Sequence, residues 1–235
     1  MLKVSGCPDG RPEIFYSVQG EGVNTGKPAI FLRLVLCNLA CIWCDTKYTW
    51  DWKQYDPSEQ IKEMSVEEVE LEILRYSCRY LVVTGGEPML QQKQLVSLLE
   101  RLKIKDFYIE IETNGTIIPI AGLVHLVDHW SVSPKLSNSG NSLYLREIPE
   151  AYEFFSALPN SHFKYVIENK DDFTELQSII SKYNLDPEKI ILMPEAQNRG
   201  MLLRRSRWLI ELCKDQGYMF SIRLQILLWG NKRAV

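Results

Sequence analysis

Cys37, Cys41 and Cys44 form the spacing C-x3-C-x2-C inside Leu36–Thr46. Three thiolates this close can hold three irons of a four-iron cluster. The fourth iron is then open to bind a small molecule and pass it an electron. A zinc site is the competing reading, and it calls for a closing fourth Cys or His. Cys7, Cys78 and Cys213 are scattered, and His125, His129 and His162 form no paired motif, so no closing ligand stands out. Further along, Tyr80-Leu-Val-Val-Thr-Gly-Gly-Glu-Pro88 is an apolar run ending in two glycines. It reads as a strand buried on both faces. The glycines let the backbone approach a ligand with no Cβ in the way, and Glu87 can accept hydrogen bonds from an amine.

Other side chains suit a small acidic heterocycle. Gln19 and Glu21, in Phe15-Tyr-Ser-Val-Gln-Gly-Glu-Gly22, offer an amide and a carboxylate at a glycine-flexed turn. Arg33 can make a two-pronged contact with a carboxylate, or else a structural ion pair. Thr46 places a hydroxyl two residues past the last clustered cysteine, where a simple Asp-Thr turn is the alternative.

These residues need a frame. Strand-like runs recur at 29–36, 80–83, 107–112, 130–133, 163–167, 190–193 and 220–224. Helical patterns fill most of the gaps, at 91–102, 149–158, 171–183 and 200–214, with a capping-box start at Ser65-Val-Glu-Glu68. The alternation predicts an α/β fold with a mostly parallel sheet and crossover helices. The units fall short of eight, so the expectation is a partial, opened β/α barrel, with residues 1–235 forming one domain. The unusual polar residues follow the strands: Cys37, Thr84-Gly-Gly-Glu87, Thr113-Asn-Gly115, Ser133-Pro-Lys135 and Pro194-Glu195. Carboxyl ends of strands are where such barrels build their chemistry.

Taken together, the cysteine triplet and the Gly-Gly-Glu-Pro turn resemble the radical S-adenosylmethionine (SAM) superfamily. Within it the chain resembles the 7-carboxy-7-deazaguanine synthase family. The matching segments are Val18-Gln-Gly-Glu-Gly22, Arg33, the three cysteines with Asp45-Thr46, Thr84–Leu90, Ile111–Gly115, Val132–Lys135 and Leu228–Val235. The resemblance implies a radical SAM-type barrel with a [4Fe–4S] cluster on Cys37, Cys41 and Cys44. It implies a SAM pocket lined by Trp43, Cys44, Asp45, Gly86, Ser133, Pro134, Lys135, Met193, Pro194, Glu195 and Ala196. Substrate contacts would come from Val18, Gln19, Gly20, Glu21, Arg33, Thr84, Glu112 and the carboxylate of Val235, and Mg2+ would sit on Thr46. The implied reaction is ring contraction of 6-carboxy-5,6,7,8-tetrahydropterin to 7-carboxy-7-deazaguanine with loss of ammonia, serving queuosine and other 7-deazapurines. Two segments depart from common family patterns. Trp229–Val235 differs from a His-Lys-Tyr-Leu-Asn-type tail, and Met193 stands where Gln is frequent, so only backbone contacts carry over at Met193. A glycyl-radical-activating enzyme also uses C-x3-C-x2-C, but its protein substrate needs no Gln-Gly-Glu turn or Arg33.

Bulk composition narrows the partners. At 235 residues and net charge −3, with 46% hydrophobic and 24% charged residues, the chain has the make-up of a soluble globular protein. The weakly acidic balance gives no reason to expect nucleic acid or an anionic membrane. No apolar run reaches a membrane-spanning length, and the first ten residues lack a signal-peptide core. The expectation is a cytoplasmic homodimer that receives electrons from a donor such as a flavodoxin.

Overall fold

The computed structural model describes residues 1–235. Ten strands form one sheet: β1 (Leu2–Ser5), β2 (Ile14–Val18), β3 (Pro28–Leu34), β4 (Ile61–Met64), β5 (Tyr80–Gly85), β6 (Tyr108–Thr113), β7 (His129–Val132), β8 (Ser161–Ile167), β9 (Ile190–Pro194) and β10 (Met219–Phe220). Their order is β10-β9-β8-β7-β6-β5-β3-β1-β4. Every pairing from β3 through β5 to β10 is parallel. Antiparallel strands finish the other end: β2 pairs with β3 over residues 28–32, and β1 meets β3 at Leu34 before pairing with β4. β10 and β4 do not pair, so the sheet is an opened barrel, as the β-α alternation predicts.

Strand periodicity decides what faces the site. Alternate residues point to opposite faces. Ile30, Leu32, Leu34, Leu81, Val83, Ile109, Ile111, Trp130, Val132, Phe163, Tyr165, Ile190 and Leu192 all join the main apolar core. Helices Val66–Leu74, Gln92–Lys103, Pro149–Ala157, Lys170–Tyr183 and Arg199–Gln216 supply most of its other face. The intervening residues face the inside of the barrel. Near the carboxyl ends these are Arg33, Thr84, Glu112, Ser131, Lys164, Met193 and Glu195. The same strands therefore carry both the core and the chemistry.

The helix starts follow capping chemistry. Ser65 and Glu68 form the reciprocal capping box, with Glu68 N donating to Ser65 Oγ at 3.1 Å and Ser65 N to Glu68 Oε2 at 2.7 Å. Asn169 and Asp172 repeat the device for the helix Lys170–Tyr183.

One strand expectation is corrected. Of residues 220–224 only Phe220 is in a strand, and Leu224–Trp229 is a helix. Periodicity cannot separate strand from helix in so short an apolar run. The short antiparallel strands β1, β2 and β4 are additions with no crossover signal in the sequence. No helix is long and apolar enough to cross a membrane.

Candidate active site

The carboxyl ends of β3, β5, β6, β8 and β9 open into a cavity of about 290 Å3. Its wall includes all three clustered cysteines, Trp43, Asp45 and Thr46 from the cysteine loop, and Val18, Gln19, Gly20 and Glu21 from the turn after β2. Arg33, Thr84, Gly86, Glu112, Ser133, Lys135, Met193, Glu195 and Val235 complete the expected set. Pro134, Pro194 and Ala196, expected in the wall, do not line it. Ala196 is fully buried and gives its carbonyl to Arg223 instead.

Each cysteine sulfur meets an N–H donor. Leu39 N donates to Cys37 Sγ at 3.4 Å, Asn141 Nδ2 to Cys41 Sγ at 3.3 Å, and Trp50 Nε1 to Cys44 Sγ at 3.4 Å. Such donors stabilise thiolate charge and tune a bound cluster. Burial pushes the Cys37 thiol up to about 12 and raises that of Cys41. Metal ligation therefore has to displace protons here. No three His, Cys, Asp or Glu side chains gather tightly enough to hold a single ion. The donor set and its N–H partners fit an iron–sulfur cluster. Thr46 Oγ1 hydrogen bonds Cys44 Sγ at 3.5 Å and makes no cap bond to the turn Lys47–Thr49 that it opens, and the residue lines the cavity. Lys135 Nζ sits 5.8 Å from the Trp43 ring centroid and hydrogen bonds Ser133 O at 2.7 Å and Ser133 Oγ at 2.9 Å.

The cavity wall also carries a network of carboxylates. Glu21 accepts from Lys164, from Arg223 Nε at 3.1 Å and from Gln225 Nε2 at 2.6 Å. Burial opposes its ionisation, but Lys164 and Arg223 overcome that and hold it well below the usual range. Gln19 Nε2 bridges Glu110 Oε1 at 2.9 Å and Glu112 Oε1 at 3.1 Å, while Thr84 Oγ1 donates to Glu112 Oε2 at 2.7 Å. Burial, with Glu112 beside it, lifts Glu110 to about 7. Gln225 Oε1 is buried on the cavity wall without a hydrogen-bond partner, an acceptor that suits a ligand N–H. The side chain also explains Gly20, whose Cβ would sit 2.1 Å from that oxygen.

Arg33 satisfies both of its sequence readings. Its Nε donates to Glu13 Oε1 at 3.0 Å, while its two Nη groups make no bond to protein and face the cavity. Glu13 also accepts from Tyr48 OH at 3.1 Å, Ser5 Oγ at 2.8 Å and Arg233 Nη2 at 2.9 Å. Arg233 stacks 3.4 Å above the centroid of Tyr48, which fastens Gly230–Val235 along the cavity. Burial works to raise the Glu13 carboxyl, and Arg33 and Arg233 outweigh it and lower it.

The Gly-Gly-Glu turn acts differently from its sequence reading. Glu87 is fully buried and outside the cavity lining, accepting from Met89 N at 3.0 Å, Thr113 Oγ1 at 2.8 Å and Asn114 N at 2.7 Å, so its bonds go to the fold and not to a ligand amine. A Cβ on Gly85 would lie 2.0 Å from Leu34 O, and one on Gly86 2.0 Å from Leu36 O. The glycine pair seats the start of the cysteine loop against β5. Glu13, Lys164, Arg223, Gln225 and Arg233 are site residues that sequence reading missed. Only Arg233 falls in a segment the sequence singled out, Leu228–Val235, and their partners lie up to 228 residues away.

Comparisons with known proteins agree with this geometry. The radical SAM superfamily profile matches residues 33–158. The chain is 37% identical over 226 residues to the 7-carboxy-7-deazaguanine synthase of Pyrobaculum aerophilum, covering 94% of this chain and 95% of that one. The 7-carboxy-7-deazaguanine synthase of Halobacterium salinarum is 32% identical over 243 residues, covering 93% and 90%. Among solved structures, QueE from Escherichia coli matches with a TM-score of 0.72 and 26% identity over 95% of this chain and 94% of that one. SAM-bound SuiB from Streptococcus suis matches with a TM-score of 0.56 at 14% identity, over 83% of this chain and 50% of that one, a likeness of fold alone.

Proposed function

Because the chain belongs to the 7-carboxy-7-deazaguanine synthase family of the radical SAM superfamily, we propose that its cavity contracts the ring of 6-carboxy-5,6,7,8-tetrahydropterin to 7-carboxy-7-deazaguanine with release of ammonia, as a carbon–nitrogen lyase. The observation that carries this reading is one cavity wall holding both three N–H-supported thiols and the free Nη edge of Arg33, with the Gln19–Glu112 network in the same lining. Cys37, Cys41 and Cys44 hold the [4Fe–4S] cluster, and the cluster with SAM supplies a 5′-deoxyadenosyl radical when both are bound. Trp43, Asp45, Ser133, Lys135, Met193 and Glu195 form the SAM side.

The chain's own work is binding and orientation. Arg33 clamps the substrate carboxylate with its Nη groups, held in aim by Glu13 at its Nε. Gln19, Glu21, Thr84 and Glu112 present acceptors and donors to the heterocycle, and Gln225 Oε1 adds an unfilled acceptor. Thr46 would offer its hydroxyl to Mg2+, a hard ion that takes oxygen ligands. Val235 and its neighbours, tied down through Arg233, close the cavity over the pterin. A flavodoxin-type electron donor, a cytoplasmic setting and pairing into a homodimer belong to the same proposal.

Binding tests it without turnover. Cluster-loaded protein without reductant is titrated with carboxytetrahydropterin and with tetrahydropterin lacking the carboxyl group. Loss of one charge-assisted contact predicts about ten- to hundredfold weaker binding of the second compound. Equal affinities would remove the carboxylate clamp and the substrate assignment with it.

A further inference from the structure

Arg223 sits just before the helix Leu224–Trp229 and reaches three loops at once. Its Nε donates to Glu21 Oε1 at 3.1 Å on the pterin side. Its Nη2 pairs with Asp45 in the cysteine loop, and its Nη1 donates to Ala196 O at 2.6 Å in the loop after β9. The residue is 9% exposed, so its contacts with Glu21 and Ala196 O are shielded from water and salt. Its backbone is anchored on both sides: Ser221 N donates to Leu192 O at 2.9 Å, and Leu224 N to Gly20 O at 3.0 Å. The other groups facing the network are Lys164 and Gln225, both on Glu21, and Arg33 and Tyr48 near Asp45. Asp45 alone among the charged partners is substantially exposed, at 41% of its side chain, so it is the end that a ligand can reach.

From this geometry we infer that Arg223 is the positioning residue that couples substrate binding to SAM binding. The inference rests on the assignment of the two halves of the cavity made above. The planar guanidinium has fixed donor directions, so a shift of Glu21 toward a bound heterocycle turns the fork that orients Asp45 and Ala196 O. By linkage, SAM then tightens the substrate by the same factor by which substrate tightens SAM. A lysine keeps the charge but offers one compact ammonium, which cannot hold three acceptors in fixed directions.

The test uses cluster-loaded protein without reductant, so that SAM stays intact. Calorimetry gives the SAM dissociation constant with and without saturating carboxytetrahydropterin. In the parent, substrate tightens SAM by about tenfold, within the usual range for coupled sites. In Arg223→Gln that factor falls to about one, and in Arg223→Lys it falls most of the way, with iron content unchanged. Should Arg223→Gln not fold, Arg223→Lys, which keeps the charge, carries the test by itself. Coupling that persists at the parent value in Arg223→Gln or Arg223→Lys overturns the inference, as does a parent that converts the pterin yet shows no coupling. A parent that neither binds nor converts the pterin instead overturns the substrate assignment, which separates the two failures.

Discussion

At the scale of single residues, two side chains divide their atoms between fold and ligand. Arg33 gives Nε to Glu13 and keeps its Nη edge for the cavity. Arg33→Lys keeps the charge and loses one of those two uses. We expect a raised KM and a cost of about 1.5–3 kcal/mol, or ten- to hundredfold in kcat/KM. Steady-state kinetics on the carboxylated pterin check this, and unchanged constants would reduce Arg33 to an ion pair. Thr46 is the second case, with a hydroxyl whose one side-chain neighbour is Cys44 Sγ at 3.5 Å. Thr46→Ala should keep its iron and lose most of the stimulation by Mg2+, whereas Thr46→Ser should retain much of it. An alanine variant that responds to Mg2+ like the parent would show that the ion sits elsewhere. Both residues were legible in the sequence because they lie in or next to a motif. Glu13, which aims Arg33, was not. It lies outside any motif, and its importance arises only when β1, β3, the turn Lys47–Thr49 and Gly230–Val235 bring four donors to it.

At the scale of elements, the parallel strands were readable because their apolar residues must alternate into one core, leaving the polar ones for the barrel interior. The edge strands were not, since they lack crossover helices and are only partly covered. The Gly85-Gly86 turn was readable as special but not in its purpose, which depends on how closely β3 passes. A Cβ at Gly86 would lie 2.0 Å from Leu36 O and 3.2 Å from Cys37 N. Backbone cannot yield as a flexible side chain can. Gly86→Ala should therefore lower the unfolding temperature strongly and reduce iron uptake, because Cys37 is displaced with Leu36. Thermal melting and iron analysis decide it, and a variant with parental stability and full iron would contradict the packing account.

At the scale of the whole molecule, the buried carboxylates leave a mark on pH dependence. Glu110, lifted to about 7, holds its proton in the folded chain above the pH at which the unfolded chain has released it. Between the ordinary glutamate range and pH 7 the folded state therefore binds more protons. Its contribution to stability falls by about 1.4 kcal/mol per pH unit across that window. His129, its register partner on β7, works the other way: burial, with His162 and the nearby lysines, lowers it to about 4, so stability falls as pH drops below the ordinary histidine range. The two slopes oppose each other up to about pH 6.5. Glu110→Gln removes one of them, and chemical denaturation should then show stability rising with pH over that interval, where the parent is flatter. Identical pH profiles would mean that Glu110 is ionised in the folded protein.

The central claim is that one cavity joins a cluster-bound SAM to a carboxylated pterin and contracts its ring. The most direct measurement is an anaerobic incubation of reconstituted protein with reductant, SAM, Mg2+ and 6-carboxy-5,6,7,8-tetrahydropterin, with product identified by mass spectrometry and ammonia quantified. The account predicts 7-carboxy-7-deazaguanine and one ammonia for each product molecule. Unchanged pterin in the presence of protein that carries a full cluster and still cleaves SAM would contradict it.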